Sequence, residues 1–103
     1  MEDEKDILRR MSSGDSDAFR LVFLKYAPRV EAFAMKMLKN IHEAQDVSQN
    51  IFTKLWMQRR ELAQVQSLNA YLFRMTRNAI FNAYKHRQVE SKYQAETGAA
   101  ESP

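Results

Sequence analysis

The sequence contains no cysteine and only two glycines and two prolines. Without cysteine it has no disulfide framework, no thiolate nucleophile and no thiolate ligand for zinc, which suits a reducing cytoplasm. Gly14 and Pro28 are its only glycine and proline before residue 98. Because both residue types interrupt regular structure, their scarcity argues against a β-rich or glycine-loop architecture. We therefore expect a cytoplasmic, all-α protein built from long helices.

Long apolar runs are absent as well. No segment approaches the ~18 consecutive apolar residues of a membrane-spanning helix, and the first residues, MEDEKD, are acidic, unlike those of a signal peptide. The 103 residues are 45% hydrophobic and 28% charged, which is the length and balance of a single globular domain. We expect no contact with a membrane.

Charge is unevenly distributed along the chain. The formal net charge is +3, yet residues 51–92 carry eight basic and two acidic side chains, whereas residues 1–50 carry eight basic and nine acidic ones. A basic half on a small helical domain indicates a polyanionic partner. The same charges fit a solvated basic face that has no partner, and charge alone does not separate the two interpretations.

Hydrophobic periodicity predicts four helices. Asp15 is a suitable N-cap for the first helix, and Pro28 is suited to the first turn of the second. Asn40 is a suitable residue to follow the end of the second helix. Residues three and four apart form the buried stripes of these two helices: Phe19, Val22, Phe23, Tyr26, Val30, Phe33, Ala34 and Met37.

The third predicted helix runs from about residue 43 to 60, and the fourth from about 68 to 88. Ser67 is a suitable N-cap for the fourth helix, so a connection is expected before it. Ile7, Leu8 and Met11 indicate a short additional helix upstream. The inward positions of helices three and four are Ala44, Val47, Ile51, Phe52, Leu55, Trp56, Leu68, Tyr71, Leu72, Met75, Ala79 and Ala83.

The sequence offers no convincing catalytic or metal site. His42 and Asp46 stand where a helical zinc-protease motif requires two histidines, so only half of that motif is present. No glycine-rich loop is present to hold a phosphate, and no spacing pairs a serine with a histidine as nucleophile and base. We therefore predict a protein that is not an enzyme and that uses no cofactor.

One face of the fourth helix combines cations, an amide and a ring. Guanidinium and ammonium groups neutralise phosphates, asparagine can pair with a base edge, and exposed rings stack on bases. The pattern favours nucleic-acid binding. In the alternative, Phe81 and Tyr84 are core residues and the cations only solubilise the helix. The face comprises Arg74, Asn78, Phe81, Lys85 and Gln88, flanked by Arg77, Tyr84 and Arg87.

The polar side of the third helix differs from that of the fourth. It is mixed in charge and rich in amides, which suits a protein partner better than a phosphate backbone. Trp56 and Phe52 are interpreted as core residues rather than as the centre of an interface. This side carries Asp46, Gln49, Asn50, Thr53 and Lys54.

Three blocks, in order, resemble a known family. They are D-A-F from residue 17, D-V-x-Q-x-I-F-x-K-L-W from residue 46 and Y-L-x-R-M-x-R-N-x-x-x-x-x-Y from residue 71. From about residue 15 to 87 the chain is similar to region 2, the promoter-melting domain, of bacterial sigma factors. Within these it most resembles the extracytoplasmic-function (ECF) group. The resemblance implies an all-α bundle of about four helices.

The resemblance also implies a role in transcription initiation. The third helix of such domains docks on a coiled coil of the RNA polymerase clamp, in the largest (β′) subunit. By position, that contact involves Asp46, Gln49, Asn50, Phe52, Thr53 and Lys54. The connection and the start of the fourth helix hold a flipped base of the −10 promoter element, and the fourth helix follows the non-template strand. By position, those DNA contacts are Glu61, Gln64, Gln66, Ser67, Arg74, Arg77, Asn78, Phe81 and Lys85.

The chain departs from the family pattern at two points. Gln45 stands where the family usually has a second acid, so the clamp contact is expected to depend more on Asp46. A complete ECF sigma factor also continues into a second, helix-turn-helix domain. We expect an arm or short helix over residues 1–14, the region 2 domain over 15–90 and a linker-like tail over 91–103 toward that missing domain.

Two functions are compatible with the sequence. The first is a transcription initiation factor domain that binds RNA polymerase core and promoter DNA, with an anti-sigma factor as a further candidate partner. The alternative is a helical protein-interaction module, such as an adaptor or a sigma-like decoy, without a DNA role. Salt-sensitive binding to single-stranded DNA would separate the two.

Overall fold

The computed structural model describes the backbone of residues 3–101 and the side chains of residues 3–92. Within that part of the chain four α-helices and one 3₁₀ segment follow each other without a strand, which confirms the predicted all-α class. No helix among the described residues is long and apolar enough to cross a membrane. The elements are α1 Glu4–Ser12, α2 Ser16–Leu38, α3 Ile41–Met57, the 3₁₀ segment Arg59–Gln64 and α4 Leu68–Glu101.

The first two predicted helices are one continuous helix, α2, and the expected break at Pro28 was wrong. Pro28 lies inside α2, where its missing N–H removes one backbone hydrogen bond. The residue is exposed, whereas Tyr26, Ala27 and Val30 around it are buried. Burial on both sides of the proline therefore offsets the lost hydrogen bond.

The turn between α2 and α3 differs from the prediction at Asn40. Lys39, not Asn40, ends α2 in the left-handed conformation, with φ of 56°. Asn40 is extended and acts as the N-cap of α3, because its side-chain oxygen accepts a hydrogen bond from the Glu43 amide at 3.0 Å. The other two predicted caps are confirmed: Asp15 accepts from the amides of Asp17 and Ala18, and Ser67 accepts from that of Ala70.

The four helices enclose one core. α2 packs against α1, α3 and α4, α3 packs against α4, and α1 packs against the 3₁₀ segment. Phe23 and Met37, predicted to face inward, are both exposed, and Thr76 and Ile80 are buried on α4 although the predicted stripe omitted them. The buried apolar residues are Leu8, Met11, Ala18, Val22, Tyr26, Ala27, Val30, Ala34, Leu38, Ala44, Val47, Ile51, Phe52, Leu55, Leu62, Leu68, Leu72 and Ile80.

The predicted ends of α3 and α4 are both revised, whereas α4 begins at Leu68 as predicted. α3 ends at Met57 rather than near residue 60, and a 3₁₀ segment follows because Leu62 turns inward and is fully buried. α4 continues past Gln88 to Glu101, so the expected end of the helix at that point was wrong. The predicted short upstream helix is confirmed as α1, with Leu8 and Met11 buried. The domain boundaries stay predictions.

The Asp15 cap makes stability depend on pH. The Arg10 guanidinium, whose Nε lies 2.8 Å from Oδ2 of Asp15, and the capped amides hold the pKa of this carboxyl below its ordinary value of 3.8. A lowered folded pKa gives stability that is complete above the ordinary pKa and is lost as the pH falls through the lowered one.

We expect Asp15→Asn, which keeps the acceptor but not the charge, to be less stable than the wild type at pH 6. That difference should disappear when the pH is lowered below the folded pKa of Asp15. Thermal unfolding followed by circular dichroism at pH 6 and at successively lower pH checks this, with Asp17→Asn as the matched control. An equal gap at every pH would mean that the Asp15 charge does not contribute.

Candidate protein and nucleic-acid interfaces

The predicted nucleic-acid face of α4 is exposed. Its members lie opposite the buried side of the helix that carries Leu72 and Ile80. The ring of Phe81 is 58% exposed and Lys85 Nζ lies 4.9 Å from its centroid, so Phe81 is not a core residue. A face of this kind offers both a stacking surface and cations. The exposed members are Arg74, Arg77, Asn78, Phe81, Lys85 and Gln88.

The additional length of α4 adds a cation that the sequence prediction did not include. Lys92 follows Arg74 by 18 residues, which is five helical turns, and is exposed. It therefore lies on the same face as Arg74 and Lys85. Placing the end of the helix near residue 88 left Lys92 out of the predicted face.

Tyr84 and Arg87 flank the face, but their side chains join α4 to the end of α2 and the start of α3. The Tyr84 hydroxyl donates to the backbone carbonyl of Met37, and Arg87 Nη2 donates to that of Leu38 at 2.7 Å. Arg87 Nε also donates to Glu43 Oε1 at 3.0 Å, and this hydrogen bond raises the pKa of the guanidinium. These contacts cap the end of α2 and tie α4 to the first turn of α3.

The α3 residues predicted to contact polymerase are exposed, with one exception. Asp46, Gln49, Asn50, Thr53 and Lys54 face solvent.

The exception is Phe52, which is only 3% exposed. Its ring packs edge-on against Phe23 with centroids 5.2 Å apart. Trp56 is half-buried, lies 5.2 Å from the Phe19 ring and is covered by the Arg59 guanidinium at 4.5 Å. Phe52 therefore belongs to the core, which confirms its interpretation from the sequence, and its place in a polymerase contact stays a prediction.

The connection between α3 and α4 packs on the core beneath it and against α1 beside it. Leu62 anchors the 3₁₀ segment in the core, while the predicted DNA contacts Glu61, Gln64, Gln66 and Ser67 stay exposed.

α1 forms one wall of the adjoining groove. An open groove of about 670 Å³ separates Gln64 and Gln66 from α1, whose Asp6 and Arg9 form an ion pair on the opposite wall. α1 also reaches α4, because Glu4 accepts from the Leu68 amide at 3.3 Å. The sequence alone placed no residue of α1 near this site.

Tyr71, in the first turn of α4, lies near a charged residue of each part of the predicted DNA surface, Glu61 and Arg74. Its hydroxyl donates to Gln58 Oε1 at 3.3 Å. Partial burial raises the pKa of Tyr71, the negative charge of Glu61 raises it further, and Arg74 opposes both. The phenol therefore stays neutral and remains a hydrogen-bond donor beside these two charged residues.

The faces of α3 and α4 meet along a polar groove. Asn50, Lys54, Asn78 and Asn82 line a depression of about 190 Å³ between the two helices. Asn78, predicted to contact DNA, thus adjoins two residues predicted to contact polymerase. Arg74 and Lys85 do not line this groove and belong to the α4 face alone.

Comparison with known proteins identifies the family. The family model for Sigma-70 region 2 matches residues 22–89. The ECF RNA polymerase sigma factor SigW of Bacillus subtilis is 23% identical over 97 residues, which cover 94% of this chain and 52% of SigW. The RNA polymerase sigma-H factor of Pseudomonas aeruginosa is 31% identical over 85 residues, 82% of this chain and 42% of that protein.

A third relative agrees. The RNA polymerase sigma factor CarQ of Myxococcus xanthus is 28% identical over 86 residues, which are 84% of this chain and 49% of CarQ. The chain thus spans about half the length of the curated relatives that it matches. No solved structure matches the chain significantly. Because the family match covers most of its length, this chain belongs to the Sigma-70 region 2 family, and the predicted resemblance to ECF sigma factors is confirmed.

Proposed function

We propose that this chain is the part of a sigma factor that binds RNA polymerase core and recognises and melts the −10 promoter element. The observation that carries the proposal is the exposed α4 face, which lies within the segment matched by the family. Its cations and ring suit a single strand of nucleic acid. The names of two relatives, SigW and sigma-H, describe them as RNA polymerase sigma factors, which supports the same role for this chain.

The polymerase contact is assigned to the polar side of α3. Asp46 supplies a carboxylate, Gln49 and Asn50 supply amides, and Thr53 and Lys54 complete a surface of mixed charge. Such a surface suits a partner that presents both donors and acceptors, and the family resemblance assigns that partner as the clamp coiled coil of the largest subunit. Phe52 contributes from the core by fixing α3 against α2.

DNA opening requires binding and no catalytic group. Cations of α4 neutralise phosphates of the non-template strand, and Phe81 offers its exposed ring to an unstacked base. A base that leaves the duplex is held by the exposed residues of the connection, among them Gln64, Gln66 and Ser67. Unpairing a base costs a few kcal/mol, and these contacts offset that cost.

The proposal predicts weak, electrostatic binding of single-stranded DNA. Four exposed cations lie along α4: Arg74, Arg77, Lys85 and Lys92. At about 0.7 for each phosphate contact, the slope of log affinity against log salt concentration should be about −3. Fluorescence anisotropy with a labelled non-template −10 oligonucleotide measures this slope. A slope near zero would contradict the assignment of α4, and Lys39→Ala, on the turn after α2, is the control that should leave it unchanged.

The polymerase contact is tested by capture. RNA polymerase core should bind to the immobilised chain, and free chain should compete for it. If the chain binds single-stranded DNA but fails to capture core, the proposed DNA role is retained and the proposed polymerase role is rejected.

A further inference from the structure

α2 carries an exposed apolar stripe that no other element covers within the described part of the chain. Leu21 is 44% exposed, Leu24 60% and Met35 40%, and Pro28 between them is also exposed. Their spacing of three, four and seven residues places all four on one side of the helix. The same spacing forms the apolar seam along which two helices pack in a coiled coil. We name these four residues the α2 stripe.

The stripe lies on the side of α2 that faces away from the bundle. The ring contacts of α2 with α3 are made by Phe19 and Phe23, and its ring contact with α4 is made by Phe33. At 100° per residue, these three point to the side opposite the stripe. The proposed polymerase and DNA surfaces, on α3 and α4, therefore leave the stripe uncovered.

One edge of the stripe is uniformly basic. Lys25, Arg29 and Lys36 follow each other along this edge, and all three are exposed. Lys25 and Arg29 lie over the Tyr26 ring, at 5.2 and 5.7 Å from its centroid. No carboxylate within residues 3–92 forms an ion pair with any of the three.

The other edge of the stripe is mixed in sign. It carries Arg20 and Glu31. A partner is therefore attracted by opposite charge along one edge only, which fixes how it lies on α2.

We infer that the α2 stripe docks an amphipathic helix whose apolar face is bordered by acidic residues. From Leu21 to Met35 the stripe is about 21 Å long at ~1.5 Å per residue, which corresponds to four turns of a partner helix. Apolar contact along the seam supplies affinity, and the basic edge selects an acidic partner. This contact stands apart from the proposed polymerase and DNA contacts and does not depend on them.

The probe is a designed 18-residue peptide with leucine at seam positions and glutamate beside them; its control carries lysine in place of glutamate. We expect the full chain to bind the acidic peptide about tenfold more tightly than the basic one in fluorescence anisotropy. Leu21→Ser with Leu24→Ser should weaken binding of the acidic peptide about tenfold or more. Met57→Ser and Val89→Ser, both at exposed apolar residues elsewhere, should leave it unchanged.

Charge reversal gives a stricter test of the basic edge. The triple variant combines Lys25→Glu, Arg29→Glu and Lys36→Glu. Its preference between the two peptides should invert, so that the basic peptide binds more tightly than the acidic one. Lys36→Glu alone should reduce the preference, and it keeps the test open if the triple variant fails to fold in circular dichroism. An unchanged preference in these variants would overturn the inference.

Other occupants of the stripe give different results. If the wild type sediments as a dimer and Leu21→Ser with Leu24→Ser as a monomer, the occupant is a second copy of the chain and the inference is wrong. If the stripe variants lose capture of RNA polymerase core, or the charge-reversed variants lose only oligonucleotide binding, the surface belongs to polymerase or DNA instead. If the stripe variants keep core capture and DNA binding but lose peptide binding, the inference is supported.

Discussion

Replacing Asp46 and Gln49 together by alanine is expected to reduce capture of RNA polymerase core at least tenfold and to leave single-strand affinity within about twofold. Removing a carboxylate and an amide from a desolvated protein contact typically costs about 1–3 kcal/mol for each group. Both side chains are exposed on α3, so their removal creates no cavity. The measurement is a pair of binding titrations, with circular dichroism to confirm the fold.

The reciprocal variant should behave in the opposite way. Arg74→Ala with Lys85→Ala removes two phosphate contacts, which near 0.15 M salt lowers single-strand affinity about tenfold and makes the salt slope less steep by about 1.4. Polymerase capture should stay unchanged. Arg74 and Lys85 are preferred to Asn78 here, because Asn78 shares a groove with Asn50 and Lys54.

The two variants together decide whether the faces are separate. If both lose both activities while folded, one continuous surface serves both partners. If neither loses either, the contacts have been assigned to the wrong residues.

Leu62→Ala is expected to be the most destabilising of the substitutions considered. Leu62 is fully buried and anchors the 3₁₀ segment, against which α1 packs. Truncating a buried leucine costs about 2–5 kcal/mol, through lost burial and the cavity left behind. That is a large share of the about 5–15 kcal/mol that holds a typical domain together.

Urea unfolding measures this effect as a lower midpoint at an unchanged slope. Met57→Ala is the matched control, because Met57 is 74% exposed and also loses a large apolar side chain. Its midpoint should barely move. Equal shifts for the two variants would show that the 3₁₀ segment is not anchored through Leu62.

Local signals in the sequence predicted local features of the fold. Asp15 and Ser67 cap helices as expected, because a capping side chain bonds to amides two or three residues away. The break at Pro28 was wrong because packing on both sides of the proline decides whether the helix continues. Asparagine suits the end of one helix and the start of the next equally well. Only the backbone conformation, left-handed at Lys39 and extended at Asn40, shows that Asn40 starts α3.

The candidate site was predictable in its exposed part. Helical spacing placed Arg74, Asn78 and Lys85 on one solvent-facing side without any tertiary information. The role of Arg87 was not predictable, because its partners lie 44 and 49 residues away in the sequence. The same holds for the wall that α1 contributes beside Gln64 and Gln66, which forms only when distant segments meet.

The packing of α1 has a consequence for how the chain folds. A nine-residue helix is marginal in isolation, so α1 gains its stability from the elements on which it rests. Its contact with α4, from Glu4 to Leu68, spans 64 residues, and closing so long a loop is entropically costly until the intervening helices are in place. We therefore expect α1 to close onto the 3₁₀ segment and α4 late in folding, after the intervening helices have formed. α1 lies wholly before the family match, which begins at residue 22.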